Sequence, residues 1–138
     1  MAHSKARIYM HLVWATWQRE PMITDEWENR IYGCIRGEIE RTSKVIAIGG
    51  ISDHVHVLVQ LAPTTSVSDL LQQMKGVSSR MVNAHRNTVS AFKWQPGYGA
   101  FSLSHTHLAT AEHYVRHQRE HHAADDLWPL WEEMGDDD

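Results

Sequence analysis

Two histidines one residue apart, His54 and His56, stand in the segment Asp53-His54-Val55-His56-Val57-Leu58-Val59. The β-branched residues around them predict a strand, and alternate residues of a strand point to the same face. His54 and His56 then project side by side, in a row with Leu58 and Gln60. The opposite row, Val55, Val57, Val59 and Leu61, is apolar and suits a buried face. Two imidazoles about 7 Å apart at their Cα atoms can converge on one divalent ion, because neutral imidazole is a common metal ligand. The same spacing also fits two solvated histidines on an open sheet face.

A second group follows in Glu112-His113-Tyr114-Val115-Arg116-His117-Gln118-Arg119-Glu120-His121-His122. In a helix, Tyr114 and Gln118 share one face, a turn apart. The Gln118 carbonyl oxygen can ligate a hard divalent ion such as magnesium or manganese. The Tyr114 phenol can act as a nucleophile and form a covalent intermediate. A metal held by His54, His56 and Gln118 keeps open positions, where a phosphate can bind and be polarised for attack. Plainer roles are available: Tyr114 as a half-buried helix tyrosine, and His121 and His122 as solvated residues or helix caps. Tyr98, between two glycines, is a rival nucleophile that lacks a partner ligand one turn away. Asp53 is either a turn residue or an acceptor that orients an imidazole. Lys75, Arg80, Arg86 and Lys93 are surface charges able to contact phosphates.

These residues need a scaffold. Residues 6–17 predict a first strand, ended by Arg19-Glu20-Pro21. Thr24 can cap a helix whose apolar stripe is Trp27, Ile31, Cys34, Ile35 and Ile39, ending near Thr42. Val45 to Ile48 form a second strand, and Gly49-Gly50 predict a turn or irregularity. The histidine strand closes at Pro63. Ser66 caps a second helix with Asp69 three residues on, and its stripe is Val67, Leu70, Leu71, Met74, Val77, Met81 and Val82. A fourth strand falls in the second half of 94–102, and residues 106–122 predict a third helix. The order is the ferredoxin-like, RRM-like βαββαβ layout of an α+β protein, with one extra C-terminal helix carrying the tyrosine. Two helices cover the valine face, so the histidine row points to the other, open face.

At 138 residues the chain fits one domain. It has no apolar run near the ~20 residues of a membrane span and no secretory signal pattern at its start. Cys34 is the only cysteine; it excludes an internal disulfide and is expected to be buried packing. The expectation is a soluble cytoplasmic protein. The net charge of −4 is uneven. Residues 123–138 hold seven of the 17 acids and none of the 13 bases, leaving the body at about +3. Residues 1–122 are expected to form the working domain and 123–138 an acidic tail that shields or solubilises.

The motif His54-Val55-His56 resembles the His-hydrophobic-His motif of single-tyrosine HUH endonucleases. Tyr114-x-x-x-Gln118 followed by His121-His122 is similar to the nucleophile helix of the insertion-sequence transposases in that superfamily. Trp94-Gln95-Pro96-Gly97-Tyr98-Gly99-Ala100-Phe101-Ser102 resembles a signature segment of the same group, which includes the REP-associated tyrosine transposases. His11-Leu12-Val13-Trp14 with Arg19-Glu20-Pro21 matches its usual opening. The resemblance covers roughly 6–122. It implies a DNA transposase of a mobile element, acting on single-stranded DNA with hairpin ends. Tyr114 would attack phosphorus to give a 5′-phosphotyrosine, with a divalent metal, magnesium or manganese, at His54, His56 and Gln118. It also implies a homodimer whose active sites are shared between subunits. The alternatives are a non-catalytic RRM-like nucleic-acid-binding protein, a domesticated family member, or a protein whose 11 histidines bind zinc or nickel. RRM sheets stack bases on aromatics, whereas the histidine strand offers His and Leu.

Overall fold

The computed structural model describes residues 4–86, 91–123 and 129–134. Strands β1 (Ile8–Ala15), β2 (Lys44–Ile51), β3 (His54–Leu61) and β4 (Gly99–Leu103) form one antiparallel sheet in the order β2-β3-β1-β4. Helices α1 (Asp25–Ile39) and α2 (Val67–His85) complete the expected ferredoxin-like βαββαβ order. Among the described residues, two α-helices follow β4: α3 (Leu108–Arg116), which carries Tyr114, and α4 (Gln118–Ala123). No helix among the described residues is long and apolar enough to cross a membrane.

The period-2 pattern of β1 and β3 separates two cores. On one face, Leu12, Trp14, Val55, Val57 and Val59 pack against Ile31, Ile35, Ile39, Leu70, Leu71 and Met74 of α1 and α2. Ser66 caps α2 as its sequence predicts, accepting from the Asp69 N–H at 3.1 Å. Thr24 has the N-cap backbone geometry, but its hydroxyl makes no capping bond. Cys34 is only half-buried, contrary to expectation. It lies one residue off the Trp27–Ile31–Ile35–Ile39 row, and the helical period turns it toward the rim.

The histidine face differs from expectation in three ways. It is not open: α3 lies across it, and Ala111 and Val115 pack on Ala47 and Leu58 as a second core. The apolar side chains left on that face draw the chain's own helix down by burial. Gly49 and Gly50 are not a turn; they lie inside β2. A Cβ on Gly49 would overlap the Val115 carbonyl oxygen, so the missing side chain is what lets α3 approach the strand. Finally, the third helix is not continuous from 106 to 122. A 3₁₀ turn at His105–His107 precedes α3, and the chain breaks at His117 (φ −114°, ψ 35°) before α4.

Part of the acidic segment is also ordered against the sheet. A 3₁₀ turn at Pro129–Glu132 packs on β1 and β4. Asp125, Asp126, Trp128, Asp136, Asp137 and Asp138 lie outside the described residues.

Candidate metal centre and nucleophile

His54 and His56 lie fully buried in β3, opposite Ala15 and Val13 of β1. Each ring is anchored through Nδ1. His54 Nδ1 meets Asp53 Oδ1 at 2.7 Å, where it donates to the carboxylate. His56 Nδ1 lies 2.8 Å from Nε2 of His11, a buried residue of β1. In the tautomer that carries both protons on Nδ1, the one metal binding requires, the Nε2 lone pairs of the two rings face a common target; without a metal, the same Nε2 of His54 can instead carry a proton toward Glu132.

At that target stands the carboxylate of Glu132. Its Oε1 is 3.4 Å from His54 Nε2, and its Oε2 is 3.1 Å from His56 Nε2. The second contact is short but lacks hydrogen-bond geometry. The donor atoms of His54, His56 and Glu132 all fall within 4.8 Å of one another. The Tyr114 hydroxyl donates to Glu132 Oε2 at 2.5 Å, and its ring centroid is 5.8 Å from that of His56. His122 Nε2 lies 3.1 Å from His54 Nε2 and 3.5 Å from Glu132 Oε1. Gln118 is buried one helical turn on from Tyr114: its Nε2 donates to the Tyr114 carbonyl at 3.0 Å, while among the described residues its buried Oε1 has no hydrogen-bond partner and neither polar atom bonds to His54 or His56.

Burial and charge set the protonation states. Burial pushes His56 down to about 4 and, with help from His56, pushes His11 down to about 3. Both are neutral at pH 7, the form that ligates metal. Burial also acts downward on His54, but hydrogen bonds to Asp53 and Glu132 outweigh it and raise its pKa. For Glu132, burial acts upward and is outweighed by the contacts from His54, His56 and Tyr114, which hold the carboxyl well below the usual range. Asp53 is lowered chiefly by its bond to His54. The arrangement is a buried convergence of imidazole nitrogens and carboxylate, with a phenol one hydrogen bond away. It can bind a divalent cation and present a nucleophile to an anion beside it.

Residues 4–118 match the family model described as Transposase IS200 like. The chain belongs to the IS200-like transposase family. Among its relatives, it is 22% identical to the ISDra2 transposase TnpA of Deinococcus radiodurans over 116 residues, covering 80% of this chain and 83% of that one. It is 25% identical to the transposase for insertion sequence element IS200 of Salmonella typhimurium over 127 residues, covering 87% and 82%. The fold is similar to the crystal structure of a candidate transposase from Deinococcus radiodurans R1 (TM-score 0.65, 23% identity, covering 83% of this chain and 95% of that one). It is also similar to a REP-associated tyrosine transposase bound to a REP hairpin (TM-score 0.62, 12% identity, covering 94% and 81%).

Within this IS200-like chain, His54, His56, Tyr114 and Gln118 all fall in the matched stretch. Asp53 orients an imidazole and is not merely a turn residue. His121 and His122 are not solvent residues: the His121 ring lies 4.7 Å from that of Tyr114, and His122 reaches His54. Tyr98 packs against the core on the far side of the sheet. Lys75 is committed to structure, its ammonium donating to the carbonyls of Gln95, Pro96 and Gly97 at 2.8–3.1 Å. The Lys93 ammonium lies 3.8 Å from the Trp17 ring centroid. The segment around Trp94 is clasped likewise, by a bridge to Thr16 and a bond from Trp94 Nε1 to Ser78. Sequence reasoning missed two site residues. His11 had a usable signal, since it lies on the same face of an adjacent predicted strand; Glu132 had none among its acidic neighbours.

Proposed function

We propose that this transposase nicks and rejoins single-stranded DNA at the hairpin-marked ends of a mobile element. Tyr114 is the nucleophile, and His54, His56 and Gln118 hold a divalent metal. One observation carries the proposal: the Tyr114 phenol bonds to a carboxylate that also contacts both imidazoles of the same chain. The donor set suits such an ion. Two Nε2 atoms converge, and the Gln118 carbonyl oxygen is buried with no other partner among the described residues. When bound, the ion would polarise a phosphate as a Lewis acid.

The chain's own residues do the rest. Glu132 accepts the Tyr114 hydroxyl hydrogen bond, aligns that oxygen, and relays its proton to the leaving O3′ as the bond to phosphorus forms. That oxygen attacks phosphorus, a P–O bond forms to tyrosine, and the P–O3′ bond breaks. A free 3′-hydroxyl and a 5′-phosphotyrosine result. In the second step a 3′-hydroxyl attacks the phosphotyrosine, restoring the phenol and sealing a strand. The phosphodiester energy is conserved, so no high-energy cofactor is required. The hairpin carried by the REP-associated neighbour supports hairpin-ended DNA as the partner. The homodimer implied by the resemblance stays part of the proposal, but the contacts of Tyr114 favour a centre built within one chain. A non-catalytic RRM-like role is disfavoured, because α3 covers the sheet face that would stack bases.

The test is an oligonucleotide carrying a subterminal hairpin, incubated with the protein and magnesium or manganese. The native chain should yield a slowed protein–DNA band in a denaturing gel. Tyr114→Phe should lose the band and keep hairpin binding. An adduct in the Phe variant would remove Tyr114 as nucleophile.

A further inference from the structure

We infer that Glu132 and His122 are additional ligands of the His54–His56 metal centre, and that they make it a transition-metal site rather than a magnesium site. The inference rests on the proposed metal centre and names its remaining ligands and metal class. Both residues lie beyond the stretch that matches the family model.

The first support is metrical. Metal bonds of about 2.0–2.2 Å to nitrogen and oxygen place neighbouring ligand atoms about 3.0–3.5 Å apart. Four contacts here have that length: His54 Nε2 to Glu132 Oε1 at 3.4 Å, His56 Nε2 to Glu132 Oε2 at 3.1 Å, His54 Nε2 to His122 Nε2 at 3.1 Å, and His122 Nε2 to Glu132 Oε1 at 3.5 Å. His54, His56 and Glu132 have the spacing of the edges of a coordination shell, and His122 adjoins it through His54 and Glu132.

The second support is chemical. Asp53 holds the His54 proton on Nδ1, and His11 can accept the His56 proton at the same position, so a tautomer is available in which both Nε2 atoms offer lone pairs to a cation. An ionised carboxylate is acceptor-only. Glu132 Oε2 lies 3.1 Å from His56 Nε2, close enough for both atoms to ligate one cation.

The third support is architectural. A Cβ on Gly99 would overlap the Glu133 carbonyl oxygen and lie 2.8 Å from Val13 Cγ1. The strand therefore leaves room for the backbone that delivers Glu132. Beyond it, Arg19 donates to Met134 Sδ at 3.4 Å. Three imidazoles and a carboxylate suit manganese, cobalt or zinc, whereas magnesium prefers oxygen ligands and keeps its waters.

The experiment titrates the full-length chain with cobalt(II), followed by its visible d–d absorption, and with manganese(II), followed by EPR, with magnesium as competitor. The native chain should show a visible cobalt band and retain manganese in a hundredfold excess of magnesium. Glu132→Gln and His122→Asn should each weaken cobalt and manganese about tenfold or more and alter the cobalt band. Gly99→Ala should act in the same direction without removing a ligand. Thermal melts establish that each variant is folded. Unchanged affinity and spectrum in both Glu132→Gln and His122→Asn would overturn the inference. So would tighter binding by Glu132→Gln, the mark of a carboxylate that merely fills an empty site. His54→Ala separates the two failures: if it abolishes the cobalt band while Glu132→Gln and His122→Asn leave it intact, only the added ligands are wrong. If His54→Ala changes nothing, the metal centre itself falls.

Discussion

Replacing Gly49 with alanine tests whether a helix is held against β2 closely enough to set the position of the nucleophile. The new Cβ would overlap the Val115 carbonyl oxygen and lie 3.0 Å from the Val115 carbonyl carbon. Neither partner can swing aside, because both are helix backbone. Helix α3 must therefore retreat by roughly 1 Å, at an overpacking cost of about 1–3 kcal/mol. Val115 adjoins Tyr114, whose hydroxyl makes the 2.5 Å bond to Glu132. A shift of about 1 Å at a reacting group can cost on the order of 10²-fold in rate. Arg116, which donates to the Ile46 carbonyl at 3.0 Å, would lose its anchor in the same movement. The assay is the rate of covalent capture of a hairpin oligonucleotide, with the melting temperature measured alongside. Gly33→Ala is the control: nothing lies within 4 Å of its added Cβ, and in a helix it should be neutral or stabilising by about 0.5–1 kcal/mol. The expected result for Gly49→Ala is a modestly lowered melting temperature and a capture rate reduced far beyond it. A native rate with an unchanged melt would show that α3 does not set the nucleophile through this contact.

Three further outcomes follow from the same geometry. Asp53→Asn and His11→Ala each remove a partner of a ligating imidazole, so each should weaken manganese binding by about 10–100-fold without removing a ligand; calorimetry reads this directly. Lys75→Met removes three charge-assisted bonds that clasp 95–97 and should cost about 1–2 kcal/mol, allowing for partial exposure, seen as an earlier denaturant midpoint. The pH dependence has a definite sign. His56 is lowered to about 4 and His11 to about 3, each from 6.5, so the unfolded chain binds more protons than the folded one between those values and 6.5. Metal-free stability should therefore fall as pH drops from about 6.5 toward 4. His11→Gln should flatten that slope, measured as melting temperature against pH, and an unaltered slope would show that His11 is not a buried neutral group.

Sequence periodicity carried the scaffold because burial follows local spacing. The Val55, Val57, Val59 row and the Trp27, Ile31, Ile35, Ile39 row each name the face that meets the other, and they meet in one core. The histidine pair and the tyrosine were legible for the same reason, since each stands at fixed spacing within one element. What the spacing could not convey is how two elements far apart in the chain come together. Gly49-Gly50 reads as a turn from local propensity, yet Gly49 serves a helix more than sixty residues away whose backbone must come close. His122 reads as solvated, because a continuous helix through 122 gives no reason for the break at His117, after which α4 carries its ring to His54. Glu132 is the extreme case. One acid among seven in an acidic stretch has no periodicity and no motif, and its place between two imidazoles is set by a turn that packs on β1 and β4. The physical difference lies in where the energy comes from. Burying an apolar row stabilises the fold wherever the chain goes next, whereas a carboxylate among imidazoles is favourable only once the fold has already excluded water there. Residues of the second kind emerge last from a sequence, and in this chain they gather at the site where the chemistry is proposed.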